Sequence, residues 1–225
     1  MHADDVSNND RYRRGLSLVL SDMLSHNPDL VLIAGDLFDS NRASHETIEW
    51  TMNELSAVPR PVVMIPGNHD CLEAEAIYRR YDFGALDNVT TLLDEAGELV
   101  RFDELDVAVW GRGMVDHHPG YLPLENCPER PADTRWYIAL GHGIFVPRGE
   151  TTHRSSPVRM EDIDASPCDY IALGHHHAAR DVSGETTPAA YCGSPTDATG
   201  SGETYAIIDL VTGTPARLEF HNLSN

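Results

Sequence analysis

The chain contains no lysine. All 16 of its basic residues are arginine, set against 36 acidic ones, for a formal net charge of −20 over 225 residues. Without lysine there is no Schiff-base chemistry, no Ser-Lys dyad and no phosphate-cradling P-loop lysine. The shortage of positive charge argues against a broad DNA-tracking face, because nucleic-acid binders cluster basic residues along one surface. The acid excess suits a protein that collects cations or one kept soluble by charge. Cysteine is scarce as well. Cys71, Cys127, Cys168 and Cys192 form no Cys-x-x-Cys pair and match neither a zinc ribbon nor a dense disulfide framework. They read as reduced thiols of a cytoplasmic protein. No run of apolar residues is long enough to span a membrane, and Met1 to Asp5 lack the positive start and apolar stretch of a secretory signal.

What is present suffices for one domain. A hydrophobic content of 41% over this length can bury a core without disulfides or a structural metal. Residues 9–26 read as a helix, with Leu16, Val19, Leu20, Met23 and Leu24 at helical spacing on one face. The runs 29–34 and 61–66 are short, apolar and β-branched, as buried parallel strands are. Helices are expected over 43–57, capped by Ser44, and over 72–81. Short strands follow near 89–93, 98–101, 105–110, 136–140, 169–173, 187–192, 204–210 and 216–221, with turn residues between most of them. The stretch 112–134, rich in Pro, Gly and charge, reads as a long surface loop, and His117 and His118 within it as surface residues. Trp50 and Trp136 are expected in the core, with Trp110 nearer the rim. Helix-and-strand units followed mostly by strands suggest two stacked sheets with helices outside.

Four small polar motifs begin where apolar runs stop. They are Gly35-Asp36-Leu37-Phe38-Asp39, Gly67-Asn68-His69-Asp70, Gly141-His142-Gly143 and Gly174-His175-His176-His177. An α/β sheet presents its ligands outside the carboxyl ends of its strands, which is where each motif falls. Asp, Asn and His make a mixed oxygen and nitrogen shell suited to Mn, Fe or Zn more than to Ca. One carboxylate can bridge two cations, and Asp36 is the natural bridge; two such metals can clamp a phosphate and activate water. His69 is placed to protonate a leaving oxygen or stabilise the transition state. Asp70 is expected to hold the His69 ring in the right tautomer.

This series of motifs resembles the calcineurin-like metallophosphoesterases over nearly the whole chain, from about residue 12 to 220. The resemblance implies a four-layer α-β-β-α sandwich, two mixed sheets flanked by helices, with a dinuclear site at its edge. It implies that Asp36 bridges both metals, that Asn68, His142 and His175 hold the second, that His177 holds the first, and that His69 is the catalytic histidine. Asp39 is then structural. The implied cofactors are two divalent ions, manganese first, with iron, zinc or magnesium as alternatives. Within the superfamily, Pro28 to Asp39, Asp169 to His175 and Tyr191-Cys192-Gly193-Ser194-Pro195 are similar to the SbcD-type DNA repair nucleases, without their extra capping domain.

The family pattern opens with Asp-x-His on a first strand, and this sequence has none. Because the other motifs are intact, the expectation is a single domain truncated at its start, lacking its first strand and with an incomplete first metal site. A degraded site is the lesser alternative, as is recruitment of His2, Asp4 or Asp5 as a makeshift ligand. Arg148, His153 and Arg154 lie between the third and fourth motifs, in a polar loop that could fold over the site and contact substrate phosphate, which arginine forks recognise well. The function expected is metal-dependent hydrolysis of phosphodiesters, DNA-exonuclease-like or acting on nucleotides and other small diesters. A metal-poor scaffold that binds a protein partner is the reading from another class.

Overall fold

The computed structural model describes residues 6–196 and 203–223. His2, Asp4 and Asp5 lie outside them. In chain order the elements are α1 (Val6–Ser25), β1 (Val31–Ala34), α2 (His45–Ser56), β2 (Val62–Ile65), α3 (Ile77–Arg80), β3 (Val89–Thr91), β4 (Glu98–Phe102) and β5 (Val107–Gly111). There follow β6 (Trp136–His142), β7 (Ile144–Val146), β8 (Pro157–Arg159), α4 (Met160–Asp164), β9 (Tyr170–Gly174), β10 (Arg180–Asp181), β11 (Ala189–Tyr191), β12 (Thr204–Asp209) and β13 (Arg217–Asn222). The class is mixed α/β. No described helix is long and apolar enough to cross a membrane.

The first half forms a three-stranded, all-parallel sheet ordered β1-β2-β3. The second forms a six-stranded mixed sheet ordered β10-β11-β9-β6-β5-β4, in which β5, β6, β9 and β11 run parallel. Two small ladders, β7-β8 and β12-β13, complete the set. Between the two main sheets lies one core cluster, with Val63 and Ile65 of β2 against Val109, Ile138 and Leu140 of β5 and β6. On the other face of the first sheet, Leu20 with Leu16, Met23 and Leu24 of α1, and Ile48 and Leu55 of α2, build a second cluster. Ile48 and Leu55 are fully buried, each contributing roughly 1.5–3 kcal/mol of transfer free energy. Ser44 caps α2 by accepting from the Thr47 amide at 3.2 Å.

β1 and β2 have nearly the same composition but different surroundings. All four residues of β2 are buried, whereas only Val31 of β1 is. The reason is topological: β2 has a partner on each side, and among the described residues nothing pairs with the outer edge of β1. Beyond that edge lies a cavity of about 420 Å³, walled by Leu30 and Leu32, by Ile138 and Ala172 of the larger sheet, and by Ile207 and Ile208 of β12.

Three expectations need correction. The helix foreseen over 72–81 is confined to α3. Tertiary hydrogen bonds override local propensity before it: the Leu72 amide pairs with the Met114 carbonyl at 2.7 Å, and the Asn41 side chain takes the Ile77 amide and donates to the Cys71 carbonyl. The stretch 112–134 is irregular but not simply superficial. Met114, Tyr121 and Leu124 are buried in it, and Arg112 is held inside by the Leu122 carbonyl and Glu125. The tryptophans exchange places: Trp110, near the carboxyl end of β5, is 2% exposed, while Trp50 and Trp136 are half-buried beneath the guanidinium groups of Arg13 and Arg135.

Candidate metal centre

The carboxyl ends of β1, β2, β6 and β9 meet at one edge, and each delivers one motif. Parallel pairing of β6 with β9 sets His142 opposite Gly174, so His175 follows one residue beyond. The loops close tightly enough that side chains are excluded from specific positions. A Cβ on Gly67 would collide with the Asp36 carboxylate, and one on Gly174 with the Ala34 carbonyl. Asp36 itself adopts a left-handed φ of 54° and His175 a φ of 104°. Such conformations cost a non-glycine residue on the order of 1–3 kcal/mol and persist only where surrounding structure enforces them.

Asp36, His142 and His175 each offer a ligand atom within 4.8 Å of the others. Asn68 joins them: its Oδ1 lies 3.0 Å from His142 Nε2 and 2.8 Å from His175 Nδ1. The His142 ring is 1% exposed and spans the two sheets. Its Nδ1 is 2.8 Å from the Ala34 carbonyl, an oxygen that can only accept, so Nδ1 carries the proton. Its Nε2 then faces two further oxygens, Asn68 Oδ1 and, at 3.2 Å, Asp36 Oδ2. Two acceptors around a lone pair call for a positive charge between them. A proton supplies it in the metal-free protein, and a divalent cation fits the same donor set of carboxylate, amide oxygen and imidazole.

The electrostatics follow from this packing. Burial disfavours ionised Asp36, but the hydrogen bond and charge of His142 and the His69 amide outweigh it, and the carboxyl titrates below its usual range. For His142, burial opposes protonation and the Asp36 carboxylate prevails, raising the ring. His175 is pushed down to about 4, by burial first and then by the charge of His142, so its imidazole is neutral and ligand-ready at pH 7.

Asp70 does not touch the His69 ring, contrary to expectation. It is fully buried, and it accepts from the Gly67 amide at 2.7 Å, the Phe38 amide at 3.2 Å and the Tyr78 hydroxyl at 2.8 Å. It clamps the loop after β1 to the loop after β2. Burial, then the charge of Asp36, raises its pKa. Asp39, the carboxylate read as structural, is instead the neighbour of His69. His69 Nδ1 donates to the Asp39 carbonyl at 3.0 Å and lies 3.7 Å from its carboxylate. The His69 amide binds Asp36 Oδ1 at 2.8 Å, while the ring is about half exposed at the mouth.

His177 is exposed and stands outside the converging group. Arg148 is turned away: its guanidinium pairs with Asp164 and, at 3.2 Å, with Glu185. His153 is exposed and makes no described polar contact. Arg154, the third residue of that loop, acts electrostatically on His175 and His176. One residue read as superficial belongs here. The His117 ring lies 5.8 Å from that of His175, and its Nε2 is buried without a hydrogen-bond partner. Its place follows from strand pairing and not from composition: β5 runs parallel to β6, so the loop after β5 opens on the same edge.

The chain is similar to known proteins. The model of the calcineurin-like phosphoesterase family matches residues 2–179. An SbcCD nuclease subunit from Staphylococcus epidermidis, of the SbcD kind, is 25% identical over 188 residues, covering 69% of this chain and 48% of that protein. Its namesake from Bacillus subtilis is 26% identical, covering 84% of this chain and 58% of that one. The chain thus spans about half the length of the curated relatives it matches. A solved crystal structure superposes with a TM-score of 0.60 over 94% of this chain and 93% of its own, at 15% identity, a likeness of fold alone.

Proposed function

Because the chain belongs to the calcineurin-like phosphoesterase family, whose members are metal-dependent phosphoric ester hydrolases, we propose that it cleaves phosphodiesters at a dinuclear centre, with manganese as its metal. The carrying observation is the His142 Nε2 set between two acceptor oxygens, beside a neutral His175. Asp36, Asn68, His142 and His175 would hold the second cation, and Asp36 with His177 would contribute to the first. When bound there, such cations would supply Lewis-acid charge at the phosphoryl group and lower the pKa of a water for attack at neutral pH.

The chain's own residues do the rest. Asp70 fixes the spacing of the two ligand loops. His142, anchored on Ala34, keeps its tautomer and its place between the sheets. His69 donates through Nδ1 to Asp39, so its Nε2 is the nitrogen free to exchange a proton with a leaving oxygen at the mouth.

An exonuclease-like reading on DNA is supported by the names of the relatives. A second reading, a nucleotide-sized diester, is favoured by the arginines: Arg101, Arg130 and Arg148 are each engaged by carboxylates of this chain, and the net charge is −20. The test is to measure bound manganese per chain, with turnover of bis-nitrophenyl phosphate and of short duplex DNA. Metal binding with cleavage of the small diester alone selects the second reading. Neither metal nor turnover sinks both, and leaves a scaffold.

A further inference from the structure

Away from the metal edge, at the start of β9, two thiols meet. Cys127 Sγ lies 3.8 Å from Cys168 Sγ, although the residues are 41 positions apart in sequence. Neither is in a Cys-x-x-Cys motif, so only the fold brings them together. The segment carrying Cys127 is held there without help from sulfur. The Arg130 guanidinium binds Asp169 at 2.6 Å and the Arg135 carbonyl at 2.7 Å, and the Tyr137 hydroxyl donates to the Pro128 carbonyl at 3.1 Å. Asp169, next to Cys168, also takes the Tyr137 amide at 2.8 Å. Both sides of the sulfur pair are therefore pinned to the same stretch of β6.

The two sulfurs are not equivalent. Cys168 is 6% exposed. Cys127 is partly exposed between the exposed residues Asn126 and Pro128. Its sulfur is in hydrogen-bonding reach of the Cys168 thiol and, at 3.4 Å, of the Tyr137 hydroxyl.

We propose that Cys127 and Cys168 form an oxidisable pair, a modification site at which a peroxide converts two thiols to a disulfide, with Cys127 attacking and Cys168 resolving. The Cys127 thiolate attacks one oxygen of hydrogen peroxide. The S–O bond forms, the O–O bond breaks, and the departing hydroxide takes a proton to leave as water. The Cys168 sulfur then attacks the resulting sulfenic sulfur. The S–S bond forms, the S–O bond breaks, and the second oxygen leaves as water with the Cys168 proton. Two thiols lose two electrons and two hydrogens, and one peroxide becomes two waters. The hydrogen bond from Cys168, against the opposing effect of burial, lowers the Cys127 pKa and supports its role as nucleophile. The sulfurs need to approach by about 1.8 Å to bond. Cys71 and Cys192 have no sulfur partner among the described residues and serve as internal controls.

The experiment treats the full chain with a small excess of hydrogen peroxide, then takes intact mass and a non-reducing peptide map. The expected result is loss of two hydrogens, a Cys127–Cys168 cross-linked peptide reversed by dithiothreitol, and a melting midpoint raised by about 5–10 °C from closing a long loop. Cys168→Ser should stop at a Cys127 sulfenic acid trapped by dimedone, and Cys127→Ser should give neither product. A cross-link through Cys71 or Cys192, a covalent dimer, or stable sulfinic acid at Cys127 in the unmutated chain would overturn the proposal. Thermal melts of the reduced variants confirm that each is folded when tested.

Discussion

The two sides of the candidate metal centre differ in how they are held. On one side, His142 is bound to Ala34 and Asn68 across the two sheets, and the buried carboxylate of Asp70 ties together the loops that carry Asp36 and Asn68. On the other, His69 and His177 stand on exposed loop positions, and among the described residues the His69 ring is bound by Asp39 alone. The first side is organised by the fold before any cation arrives; the second is organised for access. Ligand geometry needs rigidity to within tenths of an ångström, whereas a proton-exchanging group must meet a substrate that comes and goes.

Substitutions can break this contrast. The largest effect is expected for His142→Ala, which removes a proposed ligand and the link to Ala34 together. Metal should be lost and diesterase activity should fall by more than about 10³-fold, beyond the roughly 100-fold cost of losing a partner behind a ligand; a metal titration by calorimetry checks this. His69→Ala should lower kcat by about 10²–10³-fold with metal content unchanged. Loss of metal in that variant would erase the distinction between the two sides. Asp70→Ala leaves two amides and a hydroxyl buried without an acceptor and should cost about 3 kcal/mol or more of stability, read from urea denaturation, while Tyr78→Phe should cost about 1 kcal/mol. The smallest effect belongs to Arg148→Ala. Its ion pairs are exposed on the arginine side, so activity should stay within about twofold and stability within about 1 kcal/mol.

Much of this was legible in the sequence. The strands that carry the motifs read as apolar runs, although β1 is mostly half-buried where β2 is fully buried, and the polar residues after them had nowhere to go but the sheet edge. What the sequence could not show is which loop residues face one another. Asp70 follows His69 directly, yet the two side chains diverge, because the Asp70 carboxylate is claimed by donors from positions 38, 67 and 78. Arg148 looked poised for phosphate until the fold brought Asp164 and Glu185 to it. The short strands β7, β8 and β10 were missed because runs of two or three residues carry no period. His117 was missed for another reason: its role depends on the direction of β5, which pairing decides and composition does not.

The outer edge of β1, which no strand among the described residues covers, has a consequence for handling the protein. A strand edge beside an apolar cavity is a template onto which another extended chain can stack, and proteins usually blunt such edges with charge. Here Asp29 and Asp209 flank the cavity, and a net charge of −20 keeps copies apart. Acid or concentrated salt removes that repulsion and leaves the edge intact. Colloidal stability should therefore fail before folding stability does, with light scattering rising while the circular dichroism of the helices is still unchanged.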